Sequence, residues 1–154
     1  MLTLDHIVVT ATTLAEGVAN TEARLGQALL PGGVHDAMGT HNRLLSFGPD
    51  EYFEVIAIDP AGRDPGVPRW FNLNHRAPGT RLTHWVVRCD DITAALAQAP
   101  YGAGAPWDLQ RNDLRWRMAV PPTGQTPFDG LFPALIEWTG PVHPAPHLDD
   151  TDVR

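Results

Sequence analysis

Leu82-Thr-His-Trp-Val-Val-Arg-Cys-Asp-Asp-Ile92 repeats a pattern already present at Leu4-Asp-His-Ile-Val-Val-Thr-Ala-Thr-Thr-Leu14. In both, an apolar residue stands two places before a histidine, a β-branched run follows, and small polar residues open an amphipathic helix. A second pair echoes the first: Glu54 lies inside Tyr52-Phe-Glu-Val-Ile-Ala-Ile58 and Glu137 inside Leu135-Ile-Glu-Trp138, each a lone carboxylate in an apolar strand. His6 to Glu54 and His84 to Glu137 are separated by roughly fifty residues each, so the chain consists of two similar halves, each with an early histidine and a late glutamate.

Outward from these stretches the periodicity changes in order. Leu2 to Val9 alternates as a strand, with Leu2, Leu4, His6 and Val8 on one face. Thr13-x-x-Glu16 is a capping-box pattern opening a helix from Leu14 to Leu25, with Gly26 as its stop. Pro31-Gly-Gly33 interrupts Leu29 to His35, which predicts a short or irregular strand. Thr40 to Phe47 and Tyr52 to Ile58 are strands joined at Gly48-Pro-Asp50. The Pro-, Gly- and Arg-rich text from Asp59 to Gly79, with Trp70-Phe71 in its middle, links the halves. The plan then repeats: a strand from Leu82 to Cys89, and a helix capped by Asp90 or Asp91 with Ile92, Ala95, Leu96 and Ala99 on one face. Strands follow near Trp107 to Gln110, from Leu114 to Val120 and from Ala134 to Trp138. The class is therefore α+β, a single domain over 1–154 with β-α-β-β-β modules at about 2–60 and 81–140, a linker at about 61–80, and an irregular, partly disordered tail over 141–154.

A chain of 154 residues buries enough surface to fold without a staple, and its one cysteine, Cys89, makes no internal disulfide. Its position before Asp90 and Asp91 does not favour a reactive thiolate. A formal charge of −7 without a Lys/Arg cluster argues against nucleic acid. No apolar run approaches the ~20 residues of a membrane span, and the first residues lack a signal-peptide pattern. A cytoplasmic protein with neither membrane nor nucleic-acid partners is the expectation. His143 and His147 are separated by prolines and do not share a helical face as metal pairs do.

A carboxylate inside a buried strand needs a partner, and histidines are what the matching positions offer. Two neutral imidazoles and two carboxylates around a divalent cation sum to zero charge. His6, Glu54, His84 and Glu137 are therefore the candidate metal ligands, for Zn, Ni, Mn, Co or Fe. The plainer alternative has the glutamates at sheet edges with the histidines hydrogen-bonded to them. Asn42, His35 and His41 lie in or beside a glycine-flanked turn and are candidates to orient a substrate oxygen. Trp116 could wall a pocket and Arg117 could receive an anionic group.

Gly32-Gly-Val-His-Asp-Ala-Met-Gly-Thr-His-Asn-Arg-Leu44, Tyr52-Phe-Glu-Val-Ile-Ala-Ile-Asp-Pro60, Arg115-Trp-Arg117 and Leu131-Phe-Pro-Ala-Leu-Ile-Glu-Trp138 resemble the glyoxalase-like domain family. With the twin modules, they place the chain beside the vicinal oxygen chelate superfamily. The resemblance implies a curved mixed sheet around a cavity, with His6 and Glu54 facing His84 and Glu137 across a metal, and Glu137 as the base that moves a proton. It implies a metal-dependent isomerase or lyase acting on a small molecule with adjacent oxygens; the extra Glu54 weighs against a ring-opening dioxygenase. A homodimer is a possible assembly. The alternative, from relatives of the bleomycin-resistance type, is a metal-free module that sequesters a planar or aromatic ligand.

Overall fold

A computed structural model describes residues 1–148. The elements follow the predicted order: β1 (Leu2–Thr10), α1 (Leu14–Leu25), β2 (Leu30–His35), β3 (Thr40–Ser46) and β4 (Tyr52–Ile58) in the first half. The second half contributes β5 (Arg81–Cys89), α2 (Ile92–Leu96), β6 (Ala105–Arg111), β7 (Leu114–Val120) and β8 (Ala134–Trp138). Thr13 caps α1 through its hydroxyl at Glu16 N–H, and Gly26 ends the helix in the left-handed conformation. Asp91 caps α2 with bonds from Thr93 and Ala94. This helix is shorter than predicted, because Pro100 turns the chain away from helical geometry before Ala99 can join the face.

All eight strands form one curved sheet in the order β2-β3-β4-β1-β5-β8-β7-β6. The halves meet at an antiparallel β1–β5 pair in the middle, where His6 opposes Val86 and Val8 opposes His84. Each first strand is also paired in parallel with the last strand of its own half, Val8 with Glu54 and Val86 with Ala134. The cavity between the halves is thus closed within one chain.

Both helices cover the outer face. The α1 residues Leu14, Val18 and Leu25 pack toward Val9, Leu45, Phe53 and Val55, while Ile92, Ala95 and Leu96 of α2 pack toward Val87, Ala119 and Leu135. The inner face carries Val8, Ile56, Val86, Trp116, Met118 and Ile136. Trp70 and Phe71 of the linker complete this inner layer and are buried. The linker between the modules is therefore a core element as well as a connection.

Strict alternation does not hold along β1. A bulge between Leu4 and His6 inserts Asp5, so Leu2 and Leu4 are exposed while Asp5 and His6 are both buried. The sheet curls far enough for its edge strands to meet: the Arg111 side chain of β6 lies across Gly33 of β2. Residues 141–148 pack back onto this body through His143 and Ala145, while the remainder of the tail, 149–154, lies outside the described residues.

Candidate functional site

The site is a buried polar chain running across the inner face of the first half. Asp5 sits in the bulge with no exposed surface and accepts three bonds: from His6 Nδ1 (2.7 Å), Trp138 Nε1 (2.8 Å) and His143 Nε2 (3.1 Å). The other His6 nitrogen faces Glu54 Oε2 at 3.5 Å, and the imidazole stacks on Tyr52 at 4.4 Å. Glu54 Oε1 accepts from Asn42 Nδ2 at 2.6 Å. Asn42 Oδ1 in turn accepts from Gly33 N–H (2.8 Å) and Arg111 Nη1 (3.2 Å), and Arg111 also donates to His35 Nε2 at 3.1 Å.

These groups settle one another's charge. Burial alone would strip the proton from His6, but the Asp5 and Glu54 carboxylates outweigh it and hold the imidazolium up to about 9. Burial likewise opposes ionisation of Glu54 and Asp5, yet His6, with Asn42, lowers Glu54, and His143, then His6 and Trp138, lower Asp5. Burial, seconded by the Arg111 charge, pushes His35 down to about 4, so it is the neutral acceptor that the Arg111 bond requires. Two carboxylates face the His6 imidazolium and the Arg111 guanidinium, and Arg88 stands 3.8 Å from Asp5 at the edge of the cluster, so its positive charges exceed its negative ones by one.

The cluster lines a cavity of about 40 Å³ that is also walled by Trp70, Phe71, Trp116 and Trp138. Of the sequence candidates, His6, Glu54, Asn42, His35 and Trp116 share it. His84 lies on the inner face but behind Phe71, ring centroids 5.4 Å apart, and is absent from this cavity. His41 follows the strand parity opposite to Asn42 and stands by Asp59 at 4.0 Å.

Glu137 and Arg117 lie on the outer face. Glu137 Oε2 accepts the Ile92 N–H at the start of α2 (2.9 Å) and pairs with Arg117 (3.3 Å), which also reaches Asp108. The physical reason is register: the partner of Val8 is Glu54, and the equivalent partner of Val86 is Ala134, three residues before Glu137. An odd offset on a strand puts a side chain on the other face. Among the described residues no three His, Cys, Asp or Glu side chains gather to hold a metal ion. The expected four-ligand set does not fit this cavity, since its fourth position is an alanine and His6 is committed to two carboxylates. Glu137→Ala is expected to cost about 1 kcal/mol of stability through the lost helix-start contact, within the range of an N-cap deletion, while leaving the His6 imidazole signals unmoved. Thermal unfolding and NMR of the histidines check this; a shifted His6 resonance would contradict the placement.

Asp5, Arg111, Tyr52 and His143 belong to the site and were not among the sequence candidates. Asp5 carried one signal, its place directly before His6. The other three arrive by long-range closure.

The model of the glyoxalase-like domain family matches residues 4–154. Comparison with curated protein sequences finds no match. Among solved structures, a hypothetical protein from Staphylococcus aureus aligns with a TM-score of 0.58 at 17% identity, over 90% of this chain and 59% of that one. Methylmalonyl-CoA epimerase from Mycobacterium tuberculosis aligns at 0.53 and 17% identity, over 88% and 85% of the two chains. A Streptomyces coelicolor methylmalonyl-CoA epimerase variant in complex with 2-nitronate-propionyl-CoA aligns at 0.55 and 14% identity, over 92% and 96%. At these identities the structures share the fold. With the family match over nearly its whole length, the chain belongs to the glyoxalase-like domain family of the vicinal oxygen chelate superfamily.

Proposed function

We propose that the protein is an isomerase-type enzyme that moves a proton on a small molecule with adjacent oxygens, using Glu54 as the acid–base group. The observation that carries this is the Asp5–His6–Glu54 chain, in which a buried carboxylate is kept ionised by an imidazolium that is itself held by a second carboxylate. A C–H bond beside a carbonyl breaks, its proton goes to Glu54, and the electron pair moves to the carbonyl oxygen. Once Glu54 is neutral, the cluster of Asp5, His6, Arg88 and Arg111 has gained one positive charge, which offsets the enolate formed. Return of the proton to the former carbonyl carbon, with the neighbouring hydroxyl proton passing to the other oxygen, gives the isomer.

The likeness to structures named methylmalonyl-CoA epimerase supports this reaction class. The carboxylate of the second half faces away from the cavity, which leaves Glu54 as the acid–base group there. Every group comes from one chain, so no second copy is needed to complete the site.

The aromatic walls, Trp70, Phe71, Trp116 and Trp138, favour a second reading in which the cavity only sequesters a planar ligand. Hydroxyacetone in D2O separates the two. The enzyme reading expects catalysed loss of its C–H proton signals, lowered by about 10²–10⁴-fold in Glu54→Gln. Equal exchange rates with the wild type and Glu54→Gln would remove Glu54 from the chemistry.

A further inference from the structure

The inner face carries a second polar concentration that the Glu54 chain does not use. Among the described residues six buried side-chain atoms lack a hydrogen-bond partner, and three are gathered in one place: both ring nitrogens of His84 and Gln125 Oε1. Gln125 stands beside the His84 ring. Native proteins rarely leave such atoms bare, because each costs a desolvation penalty unless something supplies a partner. His84 is only 5% exposed and, with Phe71, forms the deep end of a separate pocket of about 310 Å³ whose rim carries Arg81 and Asp129.

The backbone around this pocket points the same way. Among the described residues five that are not glycine adopt a positive φ, and three of them, Phe71, Asn72 and Asp129, line the pocket. Such conformations collect where a site constrains the chain.

We propose that this pocket binds a small hydroxycarboxylic acid. Two guanidinium groups, Arg76 and Arg81, line the pocket with one carboxylate, Asp129; Glu16 stands near Arg76 but outside the lining, so the wall itself favours an anion. Arg76 is fixed by bonds to the Thr10 hydroxyl and the Gly79 carbonyl. At the deep end an imidazole offers one N–H and one lone pair, and Gln125 offers a carbonyl. The complement to that set is a group that both donates and accepts, which a hydroxyl does. The carboxylate end meets the arginines and the hydroxyl end meets His84. This site is distinct from the Glu54 cavity, from which the Phe71 ring separates it.

The test is an NMR titration of protein labelled with ¹⁵N in histidine and glutamine, using glycolate, acetate and methylammonium as probes. Glycolate is expected to bind saturably and to move the His84 and Gln125 side-chain signals. Acetate, without the hydroxyl, should bind about tenfold more weakly, and methylammonium should move neither signal. His84→Ala should weaken glycolate by about tenfold; Gln125→Ala supplies the same comparison if the first variant does not fold. Glu54→Gln is expected to leave glycolate binding intact while lowering proton exchange by about 10²–10⁴-fold, so failure here and failure of the proposed reaction are read separately. The proposal is overturned if glycolate gives no saturable shift, if acetate binds as tightly, or if the folded variants bind glycolate like the wild type.

Discussion

Asp5→Ala is expected to cost about 3–5 kcal/mol of stability, as does removing one partner of a buried ion pair. The carboxylate has no exposed surface and receives three donors, so alanine leaves the Trp138 and His143 N–H groups without an acceptor and strips His6 of its shorter ion pair. The pH dependence should change with it. In the wild type His6 is held up to about 9, above an unfolded imidazole near ~6.5, so its contribution is complete below ~6.5 and drains away as pH rises toward 9. Asp5 and Glu54 are held below the ordinary carboxylate range, so their contribution is present above ~4 and is lost as pH falls through their folded values. His35 and His84, both pushed down to about 4 by burial, take stability away as pH falls below ~6.5, because the unfolded imidazoles bind protons that the folded ones do not; stability should therefore be greatest near pH ~6.5. Asp5→Ala should flatten the alkaline limb, since the Asp5 bond is the chief force raising His6. Urea unfolding across pH measures both; an unchanged alkaline slope would mean that Asp5 does not hold the imidazolium.

The second large effect is expected from Gly32→Ala, a residue that touches no ligand in the proposed mechanism. An added methyl would overlap the Asn42 side-chain oxygen and come within 2.6 Å of the Asn42 carbonyl. The carbonyl is held in the sheet, so the side chain must turn away, breaking the bonds to Glu54 (2.6 Å) and Gly33 N–H (2.8 Å). Overpacking and the lost buried bonds together should cost about 2–4 kcal/mol, and proton exchange should fall as in Glu54→Gln. Gly102→Ala is the control: its φ of +90° disfavours a side chain, but the space around it is open, so only about 1 kcal/mol of backbone strain is expected. If Gly32→Ala behaves like this control, Asn42 is not seated as described.

The architecture was legible because the repeat fixes it. Once Leu4–Leu14 and Leu82–Ile92 are seen as the same sentence, strand and helix order follow from period and caps, and most element ends fall within a residue or two of the prediction. Half of the proposed ligand set was legible for the same reason, since Glu54 does stand with His6. Glu137 was misplaced because equal spacing between halves is a coarse ruler. An offset of three from Ala134 hardly changes a separation of about fifty residues, yet it inverts the face. Asp5 was hidden by the bulge, which no alternation pattern announces. Pro31-Gly-Gly33 looked like a strand breaker, while its glycines make room for Asn42 and Arg111. Arg111 itself is a contact between the two ends of an eight-stranded sheet, and sequence proximity carries no trace of it.

Trp70 and Phe71 occupy the hollow that the sheet's curvature creates, leaving room beside Glu54 for about one or two waters. A ligand of any size competes with the protein's own indole and phenyl rings. Its measured dissociation constant will be the intrinsic one divided by the fraction of molecules whose rings have already withdrawn. Weak binding in a screen would then report how firmly that segment is seated, and variants that loosen it would bind more tightly without gaining a single contact.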